Sequence, residues 1–552
     1  MHKPPFAASL LAACLGTGSM PSEAVTPAQI KKVKHFVVIY QENHSFDNLL
    51  GDWEGVNGRK PGNYALQVNQ AGEPFECLLQ NDSNLTSPSP LATTCVDAAN
   101  NIESAFANAP FSINTYGTDP STEDLTHRFY QHQYQLNGGK MNRFVTGSEA
   151  VGLTMAYYDT KALPIYQYLH RDGHPRYAVA DNFFQAAFGG SFLNHQWLVA
   201  ARTPIWPNAV NDGGKTDQHS VVDENGMPVT TSDGYPLYTS PLGKAVYDGR
   251  LTASCNPPAG RAPTPAGVAC GDYAINTTQP NQQPYSPGTK DYKRLPLQTA
   301  PTIGDRLSAA GISWGWYAEG WSNANGNIGA PGWTNGTGPK CTDSYTDVEA
   351  VFPNCVNQDF QYHHQPFNYF KAFDASTKAG KKNRKVHLRD EVEFVQLANR
   401  STKTCKLRQV SFVKPLPAGS EHPGGTQMQG REHLVALLEA VENSACAKHT
   451  MVIVTYDEFG GQYDHVQPPG QGQGNDNGPH DQWGPGSRIP ALVVSPLLPY
   501  EFGVDSTQYD TTSILATLEK RYRLAPVSDR DAQVNDMFSV FDAAPPATQS
   551  AR

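Results

Sequence analysis

The run Lys34-His35-Phe36-Val37-Val38-Ile39-Tyr40 passes without a break into Gln41-Glu42-Asn43-His44-Ser45-Phe46-Asp47-Asn48. Such an apolar stretch reads as a buried strand, and the polar groups at its carboxyl end stand where open α/β sheets bind ligands. Met451-Val452-Ile453-Val454-Thr455-Tyr456 repeats the pattern, ending in Asp457-Glu458 before Phe459-Gly460-Gly461 and Tyr463-Asp464-His465. Two strands, each tipped with carboxylates, point to a metal site of oxygen ligands.

The rest of the core follows the same alternation. Tyr177 to Ala180 is strand-like and reaches Asp181-Asn182; a turn at Gly189-Gly190 then leads to Ser191 and a helix over Phe192 to Ala201. Ser191 thus meets unpaired N–H groups and the positive end of a helix dipole, which suit a phosphate oxyanion. A helix around Ile303 to Ala310, a strand over Gly311 to Tyr317, an amphipathic helix over Gly430 to Ala445 and a strand over Ile489 to Val494 follow. A last helix over Thr511 to Arg523 is expected to be capped by Asp510. The pattern predicts an α/β fold with a mostly parallel central sheet flanked by helices on both faces. Polar excursions interrupt it from Gly55 to about Thr122 and as an insertion over about 203–291, with hairpin turns at Asn225-Gly226 and Asp233-Gly234. A single domain over 30–530 and a flexible tail over 531–552 are expected.

Gly 48, Pro 43 and 17% charged residues describe a loop-rich globular chain. A net charge of -10, with no Lys/Arg-rich stripe read from the sequence, excludes nucleic acid as a bound scaffold and leaves small phosphorylated substrates. His2 and Lys3, the apolar run Phe6 to Gly16 and the small residues around Ser22-Glu23-Ala24 read as a secretory signal over 1–24. Leu11-Ala12-Ala13 before Cys14 makes a lipid anchor through Cys14 the rival reading. No later run reaches the roughly 18 apolar residues of a membrane span. The chain is expected to be secreted or periplasmic, and its eight remaining cysteines to pair as neighbours: Cys77-Cys95, Cys255-Cys270, Cys341-Cys355 and Cys405-Cys446. The absence of any CxxC argues against a zinc site.

Phosphate ester cleavage needs a nucleophile, a cation to hold phosphate oxygens and an acid for the leaving oxygen. Glu42, Asn43, Asp457 and Glu458 are oxygen ligands, Ser191 is a hydroxyl, and His127, His363, His364, His422 and His465 return in polar loops. Taken singly, each has an ordinary structural role: a turn cap, a surface carboxylate, a helix N-cap or a solvated histidine. The conjunction is what points to chemistry.

Five segments carry a resemblance: Gln41 to Asn48, Asn137-Gly138-Gly139-Lys140-Met141, Phe188-Gly189-Gly190-Ser191-Phe192-Leu193-Asn194, His363 to Phe370, and Thr455 to His465. Together they resemble the bacterial phosphoesterase family, which joins secreted acid phosphatases to phosphatidylcholine-type phospholipases C within an alkaline-phosphatase-like fold. The resemblance implies one divalent metal held by Glu42, Asn43, Ser191, Asp457 and Glu458. It also implies Ser191 as nucleophile and pocket histidines at His127, His363, His364 and His422. Oxygen ligands favour Ca²⁺, Mg²⁺ or Mn²⁺. Leu193 stands where phospholipase-like members are expected to carry Pro, and Glu458 where acid phosphatases can carry Asp. The expected activity is that of a secreted acid phosphatase working through a phosphoserine, with His364 or His127 as proton donor and protonated histidines favouring acidic pH. Phospholipase C is the alternative. The short stretch after Glu458 and the lack of paired arginines near the N-terminus weigh toward the phosphatase. A non-catalytic phosphate-binding surface protein is the remote third reading, disfavoured because every catalytic residue type is present.

Overall fold

The computed structural model describes residues 26–543 except 70, 79–94, 98–101, 104–105, 116–123, 149, 210–270, 278, 285–293, 346–349, 425–426 and 473–476. The expected secretory signal with Cys14, the Cys255-Cys270 bridge and the two hairpin turns of the insertion lie outside the described residues.

An eight-stranded sheet forms the centre. Its strands in chain order are β1 (His35–Gln41), β2 (Tyr177–Ala180), β3 (Trp314–Ala318), β4 (Leu388–Arg389), β5 (Val410–Lys414), β6 (Thr450–Tyr456), β7 (Ala491–Val494) and β8 (Phe502–Asp505). Across the sheet they run β4-β3-β5-β1-β6-β7-β2-β8. Neighbours are parallel except at β7, which is antiparallel to both β6 and β2. The reversal has a plain cause. A parallel neighbour needs a crossover, usually helical, and no helix intervenes between β6 and β7 among the described residues.

The principal helices are α1 (Pro164–His170), α2 (Ser191–Ala200), α3 (Ile303–Ala309), α4 (Lys378–His387), α5 (Glu391–Asn399), α6 (Gln427–Glu442) and α7 (Ser513–Tyr522). α6 packs on α1 and α5, while α2 packs on α3 and α7, so the helices flank the sheet in two groups. In β1, Phe36, Val37, Val38, Ile39 and Tyr40 are all fully buried. At roughly 1.5–3 kcal/mol for each large apolar side chain removed from water, that strand anchors the core.

Several boundaries shift for local reasons. Ser191 is itself the first residue of α2, with Gly190 as its cap. Gly311 belongs to the turn that ends α3, at φ 70°, so the next strand starts at Trp314. Asp510 does not cap α7. Thr512 is the cap, and the Asp510 carboxylate, two residues ahead of it, accepts from Thr512 N–H at 2.7 Å and takes Arg530 at 2.9 Å. The tail expected from 531 is packed as far as 543, with Met537 and Phe538 fully buried. Three of the expected disulfides are present, Cys77-Cys95, Cys341-Cys355 and Cys405-Cys446.

Candidate active site

β1 and β6 are adjacent and parallel, with Gln41 opposite Tyr456. Their next residues are therefore brought together: Glu42-Asn43 beside Asp457-Glu458, with Asp457 N–H donating to Gln41 O at 3.0 Å. Gly460 lets the chain turn away at φ 63°, and a Cβ there would lie 2.4 Å from the Asn43 carbonyl oxygen. On the other side of β1, β5 ends in Lys414. Its Nζ donates to Tyr40 O at 3.2 Å and lies 2.7 Å from Glu42 Oε1, fully buried.

Ser191 enters from α2. Asn194 clamps the preceding turn, its amide accepting from Ala187 N–H at 3.0 Å and donating to the carbonyls of Ala187 and Gly190. The Ser191 hydroxyl donates to Glu458 Oε1 at 3.3 Å. One turn on, His195 bonds Ser191 O through Nδ1 at 2.8 Å and lies 3.6 Å from Asp457 Oδ2.

All four histidines implied by the resemblance converge here. His364 pairs through Nε2 with Glu42, and His363 joins the same cluster. His127 places Nε2 3.4 Å from Glu458 Oε1 while its Nδ1 bonds Leu125 O at 2.5 Å. His422 Nε2 is 3.9 Å from Asp124 Oδ1, and His127 Nδ1 is 3.6 Å from the same atom. Asp124 thus stands exposed at the mouth, between two histidines. His465 does not join them. It bonds Asp47 at 2.7 Å, and Asp47 with Asp464 neutralises the buried Arg488 guanidinium.

The electrostatics describe a place for a cation. Burial, and then the crowding of Glu458 and Glu42, pushes the Asp457 carboxyl well above its ordinary range. Burial also raises Glu458 well above its range, with Asp124 and Glu42 adding to the shift. Burial acts the same way on Glu42, but neighbouring His364 and Lys414 overcome it and hold that carboxyl well below the ordinary range. Both amide atoms of buried Asn43 and the Oδ2 of Asp457 lack any hydrogen-bond partner in the protein. Buried polar atoms are rarely left so, and a divalent cation fits this donor set. Glu42, His195 and Asp457 also bring one ligand atom each within 4.8 Å of one another.

Residues 33–525 match the Phosphoesterase family. The chain belongs to this family. It is similar to phospholipase C B of Mycobacterium tuberculosis, 24% identical over 94% of this chain and 80% of that protein. Non-hemolytic phospholipase C of Burkholderia pseudomallei is also 24% identical, over 94% of this chain and 60% of that protein. Non-specific phospholipase C6 of Arabidopsis thaliana is 32% identical over 22% of this chain, so that only 26% of that protein is spanned. Among solved structures, an alkaline phosphatase superfamily protein from Vibrio parahaemolyticus overlaps 43% of this chain and 51% of that chain, with 14% identity and a TM-score of 0.20, too slight to carry an argument. Membership makes this phosphoesterase a phosphoric ester hydrolase.

Lys414, His195 and Asp124 were not read from the sequence. Lys414 ends the apolar run Val410-Ser411-Phe412-Val413, the same strand-end signal that marks β1 and β6. His195 lies four residues after Ser191, on the same helix face. Nothing local marks Asp124.

Proposed function

We propose that this phosphoesterase cleaves phosphodiesters bearing a cationic head group, in the manner of a phospholipase C, using Ser191 as nucleophile. The observation that carries the diester reading is Asp124, an exposed carboxylate at the mouth between His127 and His422. An anion there attracts a quaternary ammonium and repels the second charge of a monoester. The names of the relatives aligned over 94% of the chain support it. Burial pushes His363 well down and His364 down as well. Burial thus works against a cationic wall of the kind that a preference for dianions would use.

Ser191 Oγ attacks phosphorus, the P–O bond to the glyceride oxygen breaks, and that alcohol leaves with a proton. Water then hydrolyses the phosphoserine and restores the hydroxyl. Glu42, Asn43, Ser191, Asp457 and Glu458 would hold a divalent cation, which when bound would supply Lewis acidity and lower the pKa of the hydroxyl. His127 is the proton donor, because its Nδ1 is fixed on Leu125 O and leaves Nε2 facing the site, whereas His364 Nε2 is held by Glu42. Three disulfides fit an exported enzyme.

Acid phosphatase activity is the second reading, favoured by the four histidines that converge as donors for an added phosphate oxygen. Comparing kcat/KM for p-nitrophenyl phosphorylcholine and p-nitrophenyl phosphate decides between them. The choline diester is expected to be the better substrate, and Asp124→Asn to lower its kcat/KM about five- to tenfold while raising that of the monoester. A higher kcat/KM for the monoester across the pH range replaces the diester reading with the phosphatase.

A further inference from the structure

The chain carries a net charge of -10, yet α4 reads Lys-Ala-Gly-Lys-Lys-Asn-Arg-Lys-Val-His without one acid. This helix therefore carries a basic stripe. Lys378, Lys381, Lys382 and Lys385 are spaced i, i+3, i+4, i+7 and so share one face. All four are exposed, and none forms an ion pair among the described residues. The opposite face is buried through Gly380 and Arg384, whose guanidinium bonds Phe373 O at 2.6 Å and lies over the Trp321 ring. The lysines are therefore held outward on a fixed support.

Beside them opens a cleft of about 1070 Å³, whose lining includes Lys381 and Lys385 together with Ile328 and Val351. Ile328 is 52% and Val351 62% exposed, and Val386 on α4 itself is 38% exposed. Exposed aliphatic side chains next to unpaired lysines are the composition of a surface that sits at a bilayer boundary. A soluble polyanion has no use for Ile328 and Val351, and beyond the patch it meets a net-negative protein. A bilayer touches one face only.

We propose that this face docks on a membrane containing anionic phospholipid, with the α4 lysines over lipid phosphates and Ile328 and Val351 seated at the acyl boundary. The docking is a property of this surface and stands without the diesterase reading, because none of the Ser191 site residues lines the cleft.

The test is sedimentation of the whole protein with vesicles of phosphatidylcholine, with and without phosphatidylglycerol. Wild type is expected to pellet with the mixed vesicles and to be released by salt. The Lys378→Gln/Lys381→Gln/Lys385→Gln variant is expected to bind them about a hundredfold more weakly. Ile328→Asp/Val351→Asp is a second variant, expected to lose binding at low salt as well. Both should hydrolyse a soluble p-nitrophenyl ester as wild type does, so a dead catalyst and a lost membrane contact give different results. Equal wild-type binding to neutral and mixed vesicles, or variants that bind as wild type does, overturns the proposal. Retention on heparin without vesicle binding also overturns it, in favour of a soluble polyanion.

Discussion

Asn43 is a buried amide with neither of its polar atoms satisfied by protein, set among three carboxylates. Such a group is costly unless something completes it. Because burial raises Asp457 and Glu458, a cation entering there must displace protons, so divalent-metal affinity should climb as pH rises through and above the carboxylate range. Calorimetry in buffers of different ionisation enthalpy reads the proton release directly; an affinity flat with pH refutes the assignment. Asp457→Asn should lose metal as well as rate. Ser191→Ala should cut kcat by roughly four orders of magnitude or more while changing stability by less than about 1 kcal/mol. Substantial residual turnover would remove the phosphoserine. Arg488 shows that motif residues also build structure: it donates to Asp464, Asp47 and the carbonyls of Asn57 and Asp181. Arg488→Met leaves buried carboxylates uncompensated and should cost about 3–5 kcal/mol in denaturant melts. That Glu42, Asn43, Ser191, Asp457, Glu458, His363 and His364 converge was legible because they sit at strand ends, at a helix start or in distinctive runs, whereas His127 and His422 came only with the family resemblance. His465, a candidate among the loop histidines but not one of the four that the resemblance implied, is bonded to Asp47 instead of facing the site.

At the scale of elements, β1 lies between β5 and β6, and Cys405-Cys446 ties the approach to β5 to the turn between α6 and β6. The bridge spans a separation of 41 residues. Replacing both cysteines by serine should lower stability by about 3–4 kcal/mol, seen as an earlier denaturant midpoint; an unchanged midpoint shows that the bridge is not what fixes these strands. The long strands were readable because β1 and β6 are buried on both faces and hence continuously apolar. β4 and β8 were not, being a two-residue edge and a short strand without a distinctive run. α4 escaped because its exposed, charged face dilutes the apolar period. Strand order was illegible too, since both partners of β1 arrive more than 360 residues later and pairing leaves no mark in local composition.

Over the whole molecule, two sets of buried groups set the response to pH. Burial lowers His44 to about 3 and holds His132 and His195 well down, so the unfolded chain gains protons that the fold refuses, and stability falls below about pH 6.5. Burial raises Asp390 to about 6, Glu421 to about 7, Glu319 to about 8 and Glu519 to about 9. The stability these contribute is complete below their unfolded values of about 4 and is lost as pH rises through the folded ones. Below about 6.5 the two sets oppose each other; above it only the carboxyls act. Tm should therefore decline from pH 6.5 to 9, and Glu319→Gln should make the decline shallower, while an unaltered slope in that variant excludes Glu319 as a contributor. The central place of β1 has a consequence in time. Synthesis runs from the amino end, at roughly 5–20 residues per second, so the strand that leads into Glu42 waits on the order of 20–80 s before its β5 and β6 partners exist. Until then its apolar stretch is without either of the neighbours that bury it.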